Sequence, residues 1–255
     1  MESTLGGGAE RDGADGDRAA GVSDRGRQRG VNADAMALTR AAGGWTIGVV
    51  CDGVSMSPRS ERAARVAAEV GAATLAARLE SGTLPEYALT EAAVRAGRAV
   101  SALAASADAA PACTYVAGIA GPGGIWSAWI GDSRAYWLPD TGPGMALTED
   151  DTGELDALAA WLGADADAPE PQVRSYRPSG PGRLLLCTDG LWRHLPDAGG
   201  LRAALGPAGG GLLPQARALV GHALDAGGQD NITAVLLAVP GARPPAAGTV
   251  RYASP

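Results

Sequence analysis

Short apolar runs bounded by aspartate are the clearest pattern along the chain. One run leads into Asp52 (IGVVCDG), a second leads into Asp189 (LLLCTDG), and a third follows Asp230 (DNITAVLLAV). Apolar runs of this length, bounded by turn residues, are typical of buried strands. The pattern therefore predicts three buried strands, each with a carboxylate at one end.

An Asp-Gly pair after a single strand usually marks only a turn, because Asp bonds its own backbone and Gly accepts a positive φ. Two Asp-Gly pairs after strands, together with the Asp-Asn pair that heads the last strand, favour a shared role. If the strands share a sheet edge, the carboxylates converge and their negative charge needs a cation. A metal site is our leading hypothesis, and ordinary turns are the alternative.

Two stretches with helical spacing follow the first strand. In the first, Ser57 is a candidate N-cap, Pro58 occupies the first helical position and Gly82 follows the end. In the second, Thr83 and Glu86 form a candidate capping box. Two consecutive helices of this kind can cover one face of a sheet. The apolar stripes are predicted to comprise Val66, Val70, Ala73 and Ala77 in the first helix, and Leu89, Ala93, Ala96, Val100 and Leu103 in the second.

The middle of the chain predicts a hairpin. ACTYVAGIAG and GIWSAWIGDSRAYWLP are separated at residues 121–124 by Gly-Pro-Gly-Gly. The second of these predicted strands contains the polar sequence GDSR at residues 131–134, which costs stability unless it faces water or a ligand. This makes Asp132 a candidate site residue. The alternative is a β-bulge with a local ion pair between Asp132 and Arg134.

The remaining segments define one domain. Residues 1–18 are rich in Gly, Ala and Asp and are predicted to be disordered, residues 19–239 form the domain, and residues 240–255 form a tail. Residues 141–181 predict a surface excursion with one short helix in LTEDDTGELDALAAWLG. The sequence LLPQARALVGHALDAGG predicts a further helix before the last strand.

The composition of the chain excludes some classes of binding partner. The formal net charge is −7 and the pI is near 4.9, so nucleic acid and anionic membranes, which select basic surfaces, are not expected as partners. The odd set Cys51, Cys113 and Cys187 lies in apolar or small-residue surroundings and predicts reduced core thiols. No run of eighteen apolar residues and no signal peptide is evident. We therefore expect a cytoplasmic location, and we further expect a monomer.

The candidate site residues supply oxygen ligands and one guanidinium, with no Cys or His pair at metal-ligand spacing. Such ligands suit magnesium or manganese better than zinc or copper. Two such ions bridged by a carboxylate can activate a water and clamp a phosphoryl group, and arginine binds phosphate bidentately. The candidates are Arg29, Asp34, Asp52, Gly53, Asp132, Asp189 and Asp230.

The chain contains seven motifs in order, RGVNADA (29–35), VVCDGV (49–54), CTY (113–115), IGDSRAY (130–136), LTEDDT (147–152), LLLCTDGLW (184–192) and QDNITAV (229–235). This ordered set, between about residues 19 and 239, resembles the metal-dependent serine/threonine protein phosphatases of type 2C, in a bacterial-like form. That resemblance implies an α+β fold, a four-layer α-β-β-α sandwich with two central, mainly antiparallel sheets. It also implies two Mn²⁺ or Mg²⁺ ions and a possible weaker third.

The resemblance also implies a role for each site residue. Asp52 matches the ligand that bridges two ions, Gly53 lends its carbonyl, and Arg29 matches the phosphate-binding arginine. Asp34 matches an acid that supports the metal ligands, and Asp132 matches the residue that bacterial members use for the third ion. The implied metal-site residues are Asp34, Asp52, Gly53, Asp132, Asp189 and Asp230.

Three departures from the family pattern carry expectations of their own. Ala33 stands where many members have Glu, so the second ion is expected to bind more weakly. Val54 stands where animal members have His, so protonation of the leaving group falls to a metal-bound water or, as an alternative, to His194. The excursion after Thr152 is compact, which removes the usual basis for predicting a substrate flap.

The leading functional hypothesis is metal-dependent hydrolysis of phosphoserine or phosphothreonine on protein substrates, without a covalent enzyme intermediate. The substrates would be made by a bacterial Ser/Thr kinase and act in signal transduction, and regulators of sigma factors are one possibility. The alternative is a weakly active or inactive pseudophosphatase that acts as a binding module. The intact trio Asp52, Asp189 and Asp230 favours the enzyme, whereas Ala33 favours the pseudophosphatase.

Overall fold

The computed structural model describes residues 11–15, 18–106, 109–154, 157–168, 170–206 and 210–241. Its strands form two sheets in which all neighbouring strands are antiparallel. In spatial order, the six-stranded sheet contains β1 (Arg11–Asp15), β2 (Ala19–Asp24), β11 (Ile232–Val239), β10 (Gly182–Cys187), β7 (Arg134–Pro139) and β8 (Met145–Ala146). The five-stranded sheet contains β3 (Ala35–Ala41), β4 (Trp45–Cys51), β5 (Tyr115–Gly121), β6 (Gly124–Ile130) and β9 (Gln172–Tyr176).

Helices cover the outer face of each sheet. The first two pack on the five-stranded sheet and the others on the six-stranded sheet. This arrangement confirms the predicted four-layer α-β-β-α sandwich. The helices are α1 (Ser60–Glu80), α2 (Pro85–Ser101), α3 (Asp189–Trp192), α4 (Ala198–Ala204) and α5 (Leu212–Asp225).

The two sheets pack directly against each other. Val50 and Val116 of the five-stranded sheet meet Leu186 and Val235 of the six-stranded sheet in a buried cluster. A Cβ atom on Gly48 would lie 3.0 Å from a Val235 methyl group, so this glycine allows close approach of the sheets. Central strands are therefore buried on both faces, which explains why they are continuous apolar runs and not alternating ones.

The start of the first helix differs from its prediction. Helix α1 begins at Ser60, and the preceding Arg59 has the left-handed φ of 55°. The hydroxyl of Ser57 donates to the carbonyl of Val54 and accepts from the amide of Ala112. Ser57 therefore secures the loop after β4 and does not cap the helix.

The predicted apolar stripe of α1 was also wrong, since Ala73 and Ala77 are exposed. Alanine occupies most faces of this helix, so composition gives little contrast between them. The capping box predicted for α2 is absent, because the N-cap is Leu84 and Glu86 accepts a bond from Trp126 of β6. The α2 stripe is confirmed in Leu89, Ala93, Ala96 and Val100, while Leu103 lies beyond the helix end. The buried α1 face comprises Ser60, Ala63, Ala64, Ala67, Ala68, Gly71, Ala72, Leu75 and Leu79.

The predicted hairpin is confirmed as β5 and β6, but the strand after it is not continuous. Strand β6 ends at Ile130 in the five-stranded sheet, and β7 begins at Arg134 in the six-stranded sheet. The polar sequence between them is the crossing from one sheet to the other. Gly131 has φ 104° there, and a Cβ atom on it would lie 2.9 Å from the Thr114 side chain.

Two further expectations differ from the structure. Strand β1 lies inside the segment predicted to be disordered, and it pairs with β2 at the edge of the sheet. An edge strand can be held by backbone hydrogen bonds alone. The sequence of β1 has no apolar pattern that would have predicted a strand. No α-helix occurs among the described residues of 147–163. The helix and strand predicted near the C-terminus are confirmed as α5 and β11, while residues 1–10 and 242–255 lie outside the described residues.

The three cysteines are free and buried, as predicted. Among the described helices, none combines the length and the apolar character needed to span a membrane.

Candidate metal centre

The predicted acidic residues converge at one end of the sandwich. Asp52 follows β4 of one sheet, whereas Asp189 and Asp230 flank β10 and β11, which are antiparallel neighbours in the other. Asp132 lies on the crossing that leads into β7, the other neighbour of β10. Burial raises the pKa of Asp52 well above its usual value, and the charges of Asp34, Asp189, Asp132 and Asp230 raise it further. The carboxylates thus act on one another electrostatically.

Asp34 is the most enclosed carboxylate of the group. Its Oδ2 accepts hydrogen bonds from the hydroxyls of Thr188 at 2.8 Å and Thr233 at 2.7 Å. Its Oδ1 is buried without a hydrogen-bond partner among the described residues. Burial raises the pKa of Asp34 to about 7, against the opposing effect of the two threonine bonds. A buried carboxylate with a free oxygen is costly unless positive charge lies nearby.

Backbone contacts fix the position of Gly53 beside this group. Its amide donates to the carbonyl of Ala33 at 3.1 Å, and the amide of Ala33 donates to Oδ1 of Asn231 at 2.7 Å. A Cβ atom on Gly53 would lie 2.7 Å from the Ala33 carbonyl oxygen, so only glycine fits. Gly53 pairs with Cys113 in an isolated antiparallel bridge, so it is required here by close approach of the backbone and not by a turn.

Asn231 is a further residue of the site, with a role that the sequence pattern did not predict. Its Nδ2 donates to the carbonyls of Arg25 at 2.8 Å and Val31 at 3.0 Å, while its Oδ1 holds Ala33. One side chain thus ties the loop before β3 to the start of β11. Its place next to Asp230 was the available signal, but Asn at that position also suits a simple turn.

A hydroxyl pair supports Asp52 from the other side. The amide of Asp52 donates to Oγ1 of Thr114 at 3.0 Å, and that oxygen lies 2.7 Å from Oγ of Ser133. The amide of Thr114 in turn donates to the Asp52 carbonyl at 2.8 Å. The CTY and GDSR sequences therefore meet behind Asp52, which explains the polar residues at the crossing.

Two of the three central aspartates are paired with arginine. Nη2 of Arg29 lies 2.5 Å from Oδ2 of Asp230, and this hydrogen bond raises the pKa of Arg29. Nε of Arg193 donates to Oδ2 of Asp189 at 2.9 Å, across one turn that begins at α3. Oδ1 of Asp189 is buried without a partner in the described part of the chain. The sequence pattern predicted a role for Arg29 but not for Arg193, although Arg193 stands four residues after Asp189, the spacing of a helical ion pair.

Asp132 is held through its backbone. Nε1 of Trp192 donates to the Asp132 carbonyl at 2.9 Å, and burial raises the pKa of the Asp132 carboxyl to about 6, with smaller contributions from Asp189 and Asp150. Arg134 forms two hydrogen bonds with Asp150, at 2.8 and 2.7 Å, and stacks over the Trp192 ring. The alternative of a local ion pair between Asp132 and Arg134 is therefore wrong.

The site fits a hard cation in its chemistry, although its side chains do not form a closed cage. Within the described ranges, no three Asp, Glu, His or Cys side chains form a group that could hold a metal ion as they stand. The arginine pairs contribute to this, because one oxygen each of Asp189 and Asp230 faces a guanidinium. The donors are nevertheless carboxylate oxygens, and those of Asp34 and Asp189 include buried atoms without partners. This set suits Mg²⁺ or Mn²⁺.

His194 makes no side-chain hydrogen bond to any residue that the structure describes, and its amide donates to the carbonyl of Leu191 at 3.1 Å. The contacts of its ring therefore give no support to the alternative of a catalytic histidine.

Comparison with known proteins identifies the family. The family model described as protein phosphatase 2C matches residues 21–210. No curated protein matches this chain. A bacterial serine phosphatase structure is similar at 22% identity with a TM-score of 0.74, covering 88% of this chain and 98% of that one. The serine/threonine phosphatase Stp1 from Staphylococcus aureus is similar at 21% identity and TM-score 0.72, covering 94% and 99%.

A third structure is that of the catalytic domain of the serine threonine protein phosphatase PstP in complex with two manganese ions. It is 25% identical, with a TM-score of 0.71, and covers 87% of this chain and 98% of that one. These likenesses agree with the sandwich described above. Since the family model matches most of the chain, the protein belongs to the protein phosphatase 2C family of serine/threonine phosphatases.

Proposed function

We propose that this protein hydrolyses phosphoserine and phosphothreonine on protein substrates in a reaction that depends on Mn²⁺ or Mg²⁺. The observation that carries the proposal is the convergence of five aspartates beside Arg29 at one end of the sandwich. Family membership supports the reaction type. The likeness to PstP, solved with two manganese ions, supports the choice of cation.

Within this proposal, each metal ligand has an assigned position. Asp52 and the Gly53 carbonyl come from the five-stranded sheet, whereas Asp189 and Asp230 come from the six-stranded sheet. The family match ends before Asp230, so the assignment of that residue rests on its pairing with Arg29 and its electrostatic effect on Asp52. Asp132 is the candidate for a third, weaker ion. Bound divalent cations would supply positive charge for the phosphoryl oxygens and lower the pKa of an attacking water.

The chain's own residues would prepare this site. Arg29 would bind phosphoryl oxygens, since its side chain is 40% exposed and lies beside the carboxylates. Thr188 and Thr233 hold one oxygen of Asp34 and leave the other free. Thr114 and Ser133 fix the backbone of Asp52. No side chain is proposed as a nucleophile, so the reaction would proceed by direct attack of water.

Ala33 would weaken the second ion without preventing turnover. Its backbone bridges Gly53 and Asn231, so this position adjoins the site, but its methyl side chain provides no ligand. A glutamate there would add one oxygen donor. The physiological substrates would be phosphoproteins made by a Ser/Thr kinase.

The decisive experiment measures turnover of p-nitrophenyl phosphate and of a phosphothreonine peptide with Mn²⁺, with Mg²⁺ and with EDTA. We expect both substrates to be hydrolysed only with added cation. Asp225→Asn is the matched control for site aspartates, because Asp225 is exposed and, among the described residues, its ion-pair partner is the surface residue Arg27. Retention of most activity in EDTA would contradict the metal dependence. Absence of turnover with either ion, even in Ala33→Glu, would instead support the pseudophosphatase.

A further inference from the structure

Three arginines of the described residues, Arg29, Arg134 and Arg193, pair with aspartates in or next to the candidate site, and they differ in how many of their donors are already used. Arg134 directs Nε and Nη2 to Asp150 and Nη1 to the hydroxyl of Tyr136. Its side chain is 20% exposed, so it has a structural role. Arg29 and Arg193 each contact one aspartate of the site instead.

Arg193 keeps its terminal amino groups available. Only its Nε donates to a described residue, Oδ2 of Asp189, and 53% of the side chain is exposed. The guanidinium lies 4.9 Å from the centre of the Trp192 ring, which limits where it can move. The charges of Asp132 and Asp230 also reach it. Arg193 is thus a partly oriented cation at the edge of the site.

Asp189 keeps one carboxylate oxygen that Arg193 does not contact. Arg193 holds Oδ2, while Oδ1 is buried and has no partner among the described residues. Asp189 can therefore offer one oxygen to a cation and keep the other on Arg193. The two terminal amino groups of Arg193 would remain free, and a guanidinium binds phosphate oxygens through paired N–H donors.

We propose that Arg193 binds the phosphoryl group of the substrate, as a second arginine beside Arg29. The inference rests on the proposed function, since it names the group that recognises the phosphate at that same site. Arg29 reaches the site from the loop before β3, and Arg193 reaches it from the end of α3. The substrate phosphate would therefore lie between two guanidinium groups that come from different parts of the chain.

The test is calorimetric titration of the full chain with inorganic phosphate in saturating Mn²⁺, comparing Arg193→Ala, Arg193→Lys and the control Arg217→Ala. Arg217 is an exposed residue of α5 and loses the same charge. We expect Arg193→Ala to bind phosphate about fivefold to tenfold more weakly, less than for a fully buried contact because the side chain is half exposed. Arg193→Lys should bind with intermediate affinity, and Arg217→Ala should match the wild type.

Two further readouts separate the possible explanations. KM for the phosphopeptide should rise in Arg193→Ala by a factor similar to the loss of phosphate affinity, while the Mn²⁺ titration should change little. A changed Mn²⁺ affinity with unchanged phosphate affinity would make Arg193 only a positioning residue for Asp189 and would overturn the proposal. If the wild type binds phosphate without turnover, the phosphatase function fails while Arg193 is still tested by the titration. A wild type that binds no phosphate would contradict the assignment of both arginines.

Discussion

Asp52 and Asp189 each follow a buried strand and precede a glycine that cannot carry a side chain, yet their surroundings differ. A Cβ atom on Gly53 would clash with the Ala33 carbonyl, and one on Gly190 would clash with the Asn231 carbonyl. Asp189 opens helix α3 and pairs with Arg193. Asp52 enters a loop, and no arginine pairs with it among the described residues. The same sequence pattern therefore gives one carboxylate with a counter-charge and one without.

The difference suggests separate roles. Asp52 faces the charges of four other aspartates, so it has the greatest need for added cations. Asp189 already has a partial partner and can be ordered before a cation binds. This is consistent with Asp52 as the bridging ligand and Asp189 as a ligand to one ion.

The largest expected effect is loss of turnover in Asp52→Asn. Removal of a ligand shared by two ions should lower kcat by at least about a thousandfold, since cations at such sites contribute several kcal/mol to transition-state stabilisation. Steady-state hydrolysis of p-nitrophenyl phosphate in saturating Mn²⁺ measures this, with Asp225→Asn as control. Activity within tenfold of wild type would show that Asp52 is not shared.

Arg29→Ala should have the next largest effect on catalysis. Loss of a charge-assisted contact with phosphate would cost about 1.5 kcal/mol, the lower end of the usual range because the side chain is 40% exposed, and would raise KM about tenfold. Product inhibition by inorganic phosphate should weaken in parallel. Unchanged KM and unchanged inhibition would make Arg29 only the counter-charge of Asp230.

Ala33→Glu tests the Asp52 side of the comparison by adding a carboxylate next to Gly53. We expect the Mn²⁺ concentration for half-maximal activity to fall about tenfold, as is usual when one supporting ligand is gained or lost. Calorimetric titration with Mn²⁺ should show tighter binding of the second ion. Ala33→Gln is the matched control, and an equal gain in that variant would rule out the carboxylate charge as the cause.

The smallest expected effect is on thermal stability. It allows a direct comparison of Asp52 with Asp189. In EDTA, Asp52→Asn should raise Tm by about 2 to 4 °C, equivalent to about 1 kcal/mol, because it removes a charge that burial and neighbouring aspartates disfavour. Asp189→Asn should give no such gain, because it also removes the partner of Arg193. Thermal unfolding followed by circular dichroism measures both changes.

The rise in Tm expected for Asp52→Asn should become smaller as the pH falls. Burial raises the folded-state pKa of Asp52, so its ionised form lowers stability at neutral pH, and protonation relieves this as pH falls through the raised pKa. The advantage of Asp52→Asn in EDTA should therefore shrink as pH approaches the ordinary value of 3.8. A constant advantage across that range would contradict the repulsion argument.

The sequence predicted the central strands well because burial on both faces makes them continuous apolar runs. It predicted the acidic positions for a related reason, since a charged residue directly after such a run is conspicuous. It failed where the signal was weak: alanine on every face of α1 hid the buried stripe, and Ser57 resembled a cap although it binds Ala112. Contacts between distant segments, such as that of Asn231 with Val31, cannot be read from spacing.

The crossings between the sheets have a consequence for evolution and engineering. Asp34 ends the loop from β2 of one sheet to β3 of the other, and Asp132 lies in the crossing from β6 to β7. Asp34 directly precedes β3, the neighbour of β4, so sliding of one sheet over the other would move Asp34 together with Asp52 and change the distance from both to Asp189. A conservative change in the layer between the sheets, such as Leu186→Val, should therefore change the Mn²⁺ concentration that is needed for half-maximal activity. Remote core positions thus offer a way to tune this site without touching any of its ligands.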